Sequence, residues 1–331
     1  MPKALASTAS NLRTPSRSAM PRPKRAPRHA AAQPARALTP DMNIDNAMAA
    51  VFADAQAQWL EKVGLSSTGN PEGVHQLRVG LRRLRSALSL LKDYIPSKQH
   101  EAITQSLKWL IDAFAPVRDL DVFMNELLSP LQEHGKAIKH FDLLTQSAIQ
   151  ARSIAQQQAH AALVSTRHRR LVQHVSTWIS THEWRNGKIP KKKLTASASE
   201  VARTLLNQRV RKIRKQGRHI EKLPPEDLHD LRISIKKVRY GVSFFKAVLP
   251  KRARKLGKIL AQLQETLGKL NDAAVAEEII ARLAKTAPSV DERKKIAKAG
   301  KQVVAYHKKT AADVRPDIAP RWKALKKFGS L

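Results

Sequence analysis

The chain has 331 residues, with 61 Lys+Arg against 27 Asp+Glu and a formal net charge of +34. A compact state with that imbalance repels itself unless it meets negative charge, so nucleic acid, polyphosphate and anionic membrane surfaces are the first partner classes. A hydrophobic content of 42% excludes wholesale disorder, and the absence of cysteine excludes disulfides, Cys–zinc sites, iron–sulfur clusters and thiol nucleophiles.

Residues 1–40 form one compositional block. They hold eight cations (Lys3, Arg13, Arg17, Arg22, Lys24, Arg25, Arg28 and Arg36), no Asp or Glu, and seven of the 18 prolines. Such a segment cannot bury enough apolar surface to offset its ordering entropy, so it is expected to be a disordered basic arm. An electrostatic tether for a polyanion and a solubilising extension are its two readings; translation from Met20 or Met42 would remove part or all of it. It lacks the apolar stretch of a secretory signal, and its prolines break the amphipathic helix of a transit peptide. No apolar run in the chain approaches the ~18 residues needed to span a bilayer.

From Asp41 onward the pattern is helical. Apolar residues recur at spacings of three and four, as in Met48, Val51, Phe52, Ala55 and Trp59, and no alternating strand run stands out. Breaks are expected near Gly64–Asn70, Pro96, Pro116, Pro130, Asn186–Lys193, Leu223–Pro225, Pro250 and Pro288. About ten helices with short connections describe an all-α bundle protein.

A long internal repeat divides this region. Val74-His75-Gln76-Leu77-Arg78 opens a stretch ending at Pro96, and Leu228-His229-Asp230-Leu231-Arg232 opens another ending at Pro250. Aligned without gaps, they share His75/His229, Leu77/Leu231, Arg78/Arg232, Arg85/Arg239, Ser89/Ser243, Lys92/Lys246 and Pro96/Pro250. A second pair follows, Val117-Arg118-Asp119 and Leu270-Asn271-Asp272. A period this long indicates domain duplication rather than a solenoid. The expected organisation is an arm (1–40), a first helical half (41–185), a second (195–315) and a C-terminal tail (316–331), with the Lys191-Lys192-Lys193 run in the linker.

On a helix at about 100° per residue, Val74, Leu77, Leu81, Leu84, Leu88, Leu91 and Ile95 form an apolar face. His75, Arg78, Arg82, Arg85, Ser89 and Lys92 form a polar stripe along its edge, and His229, Arg232, Lys236, Arg239, Ser243 and Lys246 repeat it. Arg83 and Lys237 lie farther round. A charge run on a helix is ordinarily a solvated face. Here the cations lie beside the apolar face, only Asp93 and Asp230 provide acids in the two stretches, and the basic positions recur in both halves. Stacked like charges repel on an unliganded helix, and a bound polyanion turns that repulsion into affinity. The pseudo-twofold is expected to bring both stripes around one basic groove or pore. Reversing charge at Arg78 and Arg232 should then abolish binding without loss of helicity.

His75 and His229 are read two ways, as satisfied structural residues or as phosphate ligands whose charging strengthens binding as pH falls. Asp119 and Asp272 read as helix-start caps or as partners that orient a groove arginine. Arg118 and Lys269 are weaker anion ligands. The run Arg209–Arg218 points several ways round a helix, and Arg209 and Lys212 are its candidates for a second wall.

These motifs resemble the CHAD family, the conserved histidine α-helical domain. The resemblance rests on Val74 to Arg85 (VH-x-LRV-x-x-RRLR), on Leu228, His229, Leu231, Arg232, Lys236, Arg239 and Tyr240, on Arg118-Asp119-x-Asp121-Val122, and on Leu267, Gly268, Asn271 and Asp272. It covers roughly residues 41–315. It implies two pseudo-symmetric antiparallel four-helix bundles around a basic central cavity that binds inorganic polyphosphate, in a cytoplasmic protein at polyphosphate granules. Where the family often has an acid soon after its Arg-Tyr pair, this chain has Ser243. Charge spacing alone does not select polyphosphate over nucleic acid; the family supplies that choice.

Catalysis is not expected. The chain has no G-x-x-x-x-G-K-[ST] or G-x-G-x-x-G loop, and His100-Glu101 and His182-Glu183 do not continue to H-E-x-x-H. His229-Asp230 is answered in the other half by His75-Gln76, which argues against an HD phosphohydrolase. No cofactor or metal is expected. The alternative is a non-specific nucleic-acid binder, against which few aromatics interleave with the basic runs; a membrane scaffold lacks Trp/Phe anchors.

Overall fold

A computed structural model describes residues 37–133 and 138–331. Nearly all of the arm expected at 1–40 therefore lies outside the described residues. The helices run α1 Ile44–Glu61, α2 Val63–Ser67, α3 Pro71–Leu90, α4 Ser97–Ala113, α5 Ala115–Val122, α6 Ser129–Glu133, α7 Phe141–Val164 and α8 Thr166–Ser180. After the linker and its short α9 Lys191–Leu194 come α10 Ala198–Gln216, α11 Pro225–Phe244, α12 Ala253–Lys285, α13 Val290–Val314 and α14 Ile318–Lys327. The fold is all-α, and the β-type pairing among the described residues is a single bridge, Asn43 with Ser197.

That bridge joins the two halves. Ile44 N–H donates to the Ala196 carbonyl at 2.8 Å, and Ala198 N–H donates to the Met42 carbonyl at 3.0 Å. The offset that takes His75 to His229 takes Met42 to Ala196 and Ile44 to Ala198, so the two bonds exchange under the sequence repeat.

Three apolar cores account for the packing. The first collects Phe52, Trp59, Leu77, Leu81, Leu107, Leu110, Val175 and Trp178 from α1, α3, α4 and α8. The second collects Leu206, Val210, Leu231, Ile235, Leu260, Leu263 and Trp322 from α10, α11, the first part of α12 and α14. A third takes Leu120, Phe123 and Leu144 from one half and Ile279, Ile280, Ile296 and Val303 from the other. The first core also takes Val201, Ala202, Phe244 and Phe245 from the second half, the second is built from the second half and the C-terminal segment, and the third is shared by a helical pair from each half. The apolar face read from Val74 to Ile95 is buried throughout, at no more than 3% exposed.

Several boundaries differ from the sequence reading. The break expected at Pro116 falls at Phe114, and Pro116 sits in the first turn of α5, where its missing N–H costs nothing. Pro130 likewise lies at the start of α6, which continues from a π-helical stretch Phe123–Leu128. Gly268 does not interrupt α12, so Asp272 is an interior residue there and the cap reading for it is corrected. The segment 316–331 joins the second core through Ile318, Trp322, Leu325 and Leu331.

The linker is fastened by a buried carboxylate. Asp45, 6% exposed, accepts from Trp184 Nε1 at 2.6 Å, from Arg185 Nε at 2.9 Å and from Arg185 Nη2, with His182 Nδ1 at 3.3 Å. Burial by itself would raise its pKa; the hydrogen bonds from Arg185, Trp184 and His182 outweigh burial and hold the carboxyl below its ordinary 3.8. Asp45→Asn should cost about 1–3 kcal/mol in urea unfolding at pH 7, because the indole and guanidinium lose a charged acceptor. A depressed folded value gives stability that is complete above pH 3.8 and is lost as pH falls through the folded value, so the variant should show a weaker acid-induced loss than the parent.

Candidate anion-binding site

The site is built on α3 and α11. Asn70 caps α3 by accepting from Gly73 N–H at 2.9 Å, with Pro71 in the first turn, which fixes where the helix starts and hence which edge its cations occupy. Leu77, Leu81 and Leu84 bury one face, and Leu231, Ile235 and Val238 do the same for α11. The two helices pack against each other. At Gly241 a Cβ would lie 2.7 Å from Leu206 and 3.0 Å from Leu90, so glycine permits the close approach.

This packing makes Arg78, Arg82, Arg232, Lys236 and Arg239 electrostatic neighbours across the helix pair. Lys236 carries the clearest mark of it. Burial, followed by repulsion from Arg232, Arg82, Arg239 and Arg78, lowers its pKa from 10.5 to about 8. Arg78 is lowered to about 10, by burial first and Arg82 next. Arg232 is lowered by burial, with Asp272 opposing and Arg82 adding to the effect. Its guanidinium lies over Gly268, where a Cβ would stand 3.8 Å from Nε and Nη2.

The cluster also holds unspent hydrogen-bonding capacity. His75 Nδ1 and the Nε atoms of Arg78, Arg82 and Arg232 are buried without a hydrogen-bond partner. Buried polar groups are normally satisfied, and each exception asks for an explanation. Here the donors are cationic or become so, and His75, Arg78 and Arg232 each have Arg82 as a charge neighbour, which suits an anion with many acceptor oxygens. His75 has its pKa lowered by burial first and by Arg118 next, so it is neutral at neutral pH in the free protein.

Two carboxylates border the cluster at repeat-related positions. Burial raises the pKa of Asp119, which faces Arg78 and lies 3.8 Å from Arg282, and of Asp272, which faces His307 and Arg232. Both therefore fit the reading of an acid that orients a groove arginine.

The remaining candidates divide into groups. Lys237 has its pKa lowered by partial burial and then by Arg209, Arg85 and Lys212, which places those four cations together; Arg209 Nη2 donates to the Ser89 carbonyl at 2.5 Å. On the other side, Arg83 donates to Ser243 Oγ at 3.2 Å and to Asp54 Oδ2 at 3.1 Å, with its guanidinium 5.1 Å from the Phe244 ring centre. Arg83, Arg239, Ser243 and Lys246 line a cavity of about 870 Å³ together with Lys251 and Arg254. Arg118 pairs with Glu126 at 2.7 Å and is felt by His75.

Three candidates stand apart from the central cluster. Because α3 ends at Leu90, Lys92 leaves the helical stripe and sits in the 3₁₀ turn Lys92–Tyr94, beside His100. Lys269 is exposed and faces Glu265 at 3.6 Å. His229 is exposed, with Nδ1 3.0 Å from Asn271 Oδ1, whereas its counterpart His75 is partly buried beside Arg118. Lys251 and Arg254 were missed; the signal was present in Lys251-Arg-Ala-Arg-Lys255, a basic run without acids directly after Pro250.

A family model described as the CHAD domain matches residues 47–281. The chain belongs to the CHAD family. Among solved structures, this CHAD protein is similar to the CHAD domain from the plant Ricinus communis, with a TM-score of 0.73 and 26% identity over 88% of this chain and 96% of that one. It also shares its fold with PptA from Streptomyces chartreusis, with a TM-score of 0.63 and 17% identity over 85% of this chain and 100% of that one. A comparison with curated proteins gives no match.

Proposed function

We propose that this CHAD protein binds inorganic polyphosphate, without hydrolysing it, in the cleft between α3 and α11. The observation that carries the reading is the central cluster itself: mutually repelling cations whose buried N–H donors have no protein partner. The exchange of hydrogen bonds at the Asn43–Ser197 bridge supports a pseudo-twofold relation between the halves, which would make the two stripes walls of one groove. A thin, flexible chain of phosphates can follow donors recessed between packed helices. A duplex presents its phosphates on a wide convex surface and would reach mainly the exposed cations. Family membership adds to this choice of polymer.

The disposition of the acids supports binding without catalysis. Asp119 and Asp272 each face an arginine, a disposition that orients cations rather than leaving carboxylates open to ligate Mg²⁺. A cytoplasmic location at polyphosphate granules accords with this reading, and among the described residues no helix is long and apolar enough to cross a membrane. The test is direct. Purified protein should bind long-chain polyphosphate at equilibrium and release no phosphate, with or without Mg²⁺; steady phosphate release would overturn the non-catalytic reading.

The lowered Lys236 value gives a signed pH prediction. Bound phosphate stabilises the ammonium, so the pKa in the complex lies above about 8, and affinity should fall as pH rises from about 8 toward the bound value. Lys236→Arg should flatten that fall, because guanidinium stays charged. His75 acts in the acid range: binding raises its depressed pKa, so affinity should climb as pH drops below 6.5, and His75→Gln should remove that climb. Titration of tripolyphosphate from pH 5.5 to 9.5 checks both.

A further inference from the structure

The charge of the chain is unevenly spread, and along α7 it runs out. From Leu143 to Thr166 the sequence has a single Lys, Arg, Asp or Glu, which is Arg152, in a chain that is 27% charged. That one is turned inward: its Nε donates to Oδ1 of the buried Asp121 at 2.5 Å and its Nη2 to the Gly69 carbonyl at 2.8 Å. The outer face of α7 is therefore neutral. Gln146, Ile149, Gln150, Ser153, Ile154 and Gln157 recur there at helical spacing, and each is exposed. Beside this face runs a groove of about 610 Å³, lined by Leu120, Leu143, Ala151, Ile279, Leu283 and Pro288 and opening over the third core. Ile149 and Ile154, 47% and 53% exposed, stand on its α7 edge. The two charged residues that line it, Arg282 and Glu292, are of opposite sign.

We infer that two copies of this protein pair through the α7 face and this groove as an isologous dimer. On a body of formal charge +34, like-charge repulsion keeps copies apart wherever cations face cations. The neutral strip is not subject to that repulsion. A twofold interface needs one surface that holds both a projection and its matching recess. Ile149 and Ile154 are the projection, the groove is the recess, and both belong to the same strip. Arg282 and Glu292 supply one charge of each sign, so the surface can also complement itself electrostatically. The glutamines suit such a face, because amides both donate and accept without carrying charge. Size agrees as well. The 24-residue α7 is about 36 Å long, and a strip of that length and roughly two helix diameters wide is on the order of the ~800 Å² per partner of a stable interface. A small apolar ligand would fill the groove and leave the rest of the strip uncovered. The inference does not depend on the proposed ligand, because none of the central cations lies on this strip.

The experiment is sedimentation equilibrium of the full-length protein and two variants, Ile149→Lys/Ile154→Lys and Gln150→Lys/Gln157→Lys. The parent should have the mass of two chains. Each variant sets like charges against each other across the twofold and should raise the dimer dissociation constant by about tenfold or more. Both should keep the parent's helicity and thermal unfolding, since all four side chains are exposed; the glutamine pair touches no core and serves if the isoleucine pair misfolds. A monomeric parent would overturn the pairing and leave the strip to a different partner. A dimeric parent whose folded variants dimerise equally well would place the interface elsewhere and overturn the inference.

Discussion

Arg82→Glu/Arg232→Glu should reduce polyphosphate affinity by a factor on the order of 10³ while leaving the helical circular-dichroism signal intact. Each arginine faces the cluster with a buried Nε that lacks a partner, and each is a charge neighbour of another cluster cation. A hydrogen bond to a charged group is worth about 1.5–3 kcal/mol, and two of them correspond to at least two decades of affinity. The reversed charges add repulsion of the polyanion. Among the described residues neither guanidinium is hydrogen-bonded, so the fold does not rely on them. Arg78 is the poorer test residue. It donates to the Ile111 carbonyl at 2.6 Å across the α3–α4 contact, and a glutamate there would leave that carbonyl unpaired beside Asp119. Charge reversal at Arg78 would therefore mix loss of binding with loss of a buried contact, which is why Arg82 replaces it in the test. Loss of helicity in the Arg82/Arg232 variant, or unchanged affinity, would contradict the account of the site.

Gly80→Leu should destabilise the protein by more than about 3 kcal/mol, at the upper end of overpacking costs. A Cβ at Gly80 would lie 2.6 Å from the Trp59 nitrogen and 2.8 Å from its Cα, both backbone atoms that cannot swing aside. The helix-propensity gain of about 1 kcal/mol on removing glycine is too small to offset this. The clash would push α1 off α3 and disturb the first core around the fully buried Trp59. Urea unfolding checks the loss. A stability within 1 kcal/mol of the parent, taken as the scale of that propensity gain, would mean that the α1–α3 contact yields freely.

The cluster proposed to bind polyphosphate also weakens the free protein. Lys236 is more easily deprotonated folded than unfolded, so between about pH 8 and 10.5 the unfolded chain holds more protons and stability rises with pH. Lys236→Met should accordingly stabilise the unliganded protein by about 1–2 kcal/mol, after allowing for solvent screening, and weaken polyphosphate binding. Thermal unfolding at pH 7 with and without tripolyphosphate separates the two effects.

Local periodicity carried much of the structure. The apolar face of Val74–Ile95, the breaks at Pro96 and Pro250 and the helices that carry the two His-x-x-Arg motifs were legible, because each depends on a few consecutive residues. What failed was extrapolation past a helix end and inference across helices. Lys92 keeps the stripe's spacing in sequence but lies beyond Leu90, where the 100° increment no longer applies. Asp272 reads as a helix-start cap, yet α12 runs on through it because Leu263 and Leu267 bury in one core and Ala276, Ile279 and Ile280 in the next. The shared third core depends on pairing segments from opposite halves, for which one sequence holds no local sign. The hydrogen bond from Arg78 to Ile111 and the joint cavity of Arg239, Lys251 and Arg254 are hidden for the same reason.

The most direct measurement is a competition at physiological salt. Labelled long-chain polyphosphate is bound to the full-length protein and challenged with duplex DNA at matched phosphate concentration. The proposed binding cleft between α3 and α11 predicts that unlabelled polyphosphate displaces the probe and DNA leaves most of it bound. Displacement by DNA as efficient as by polyphosphate would contradict the cleft and assign the positive charge to non-specific nucleic-acid binding.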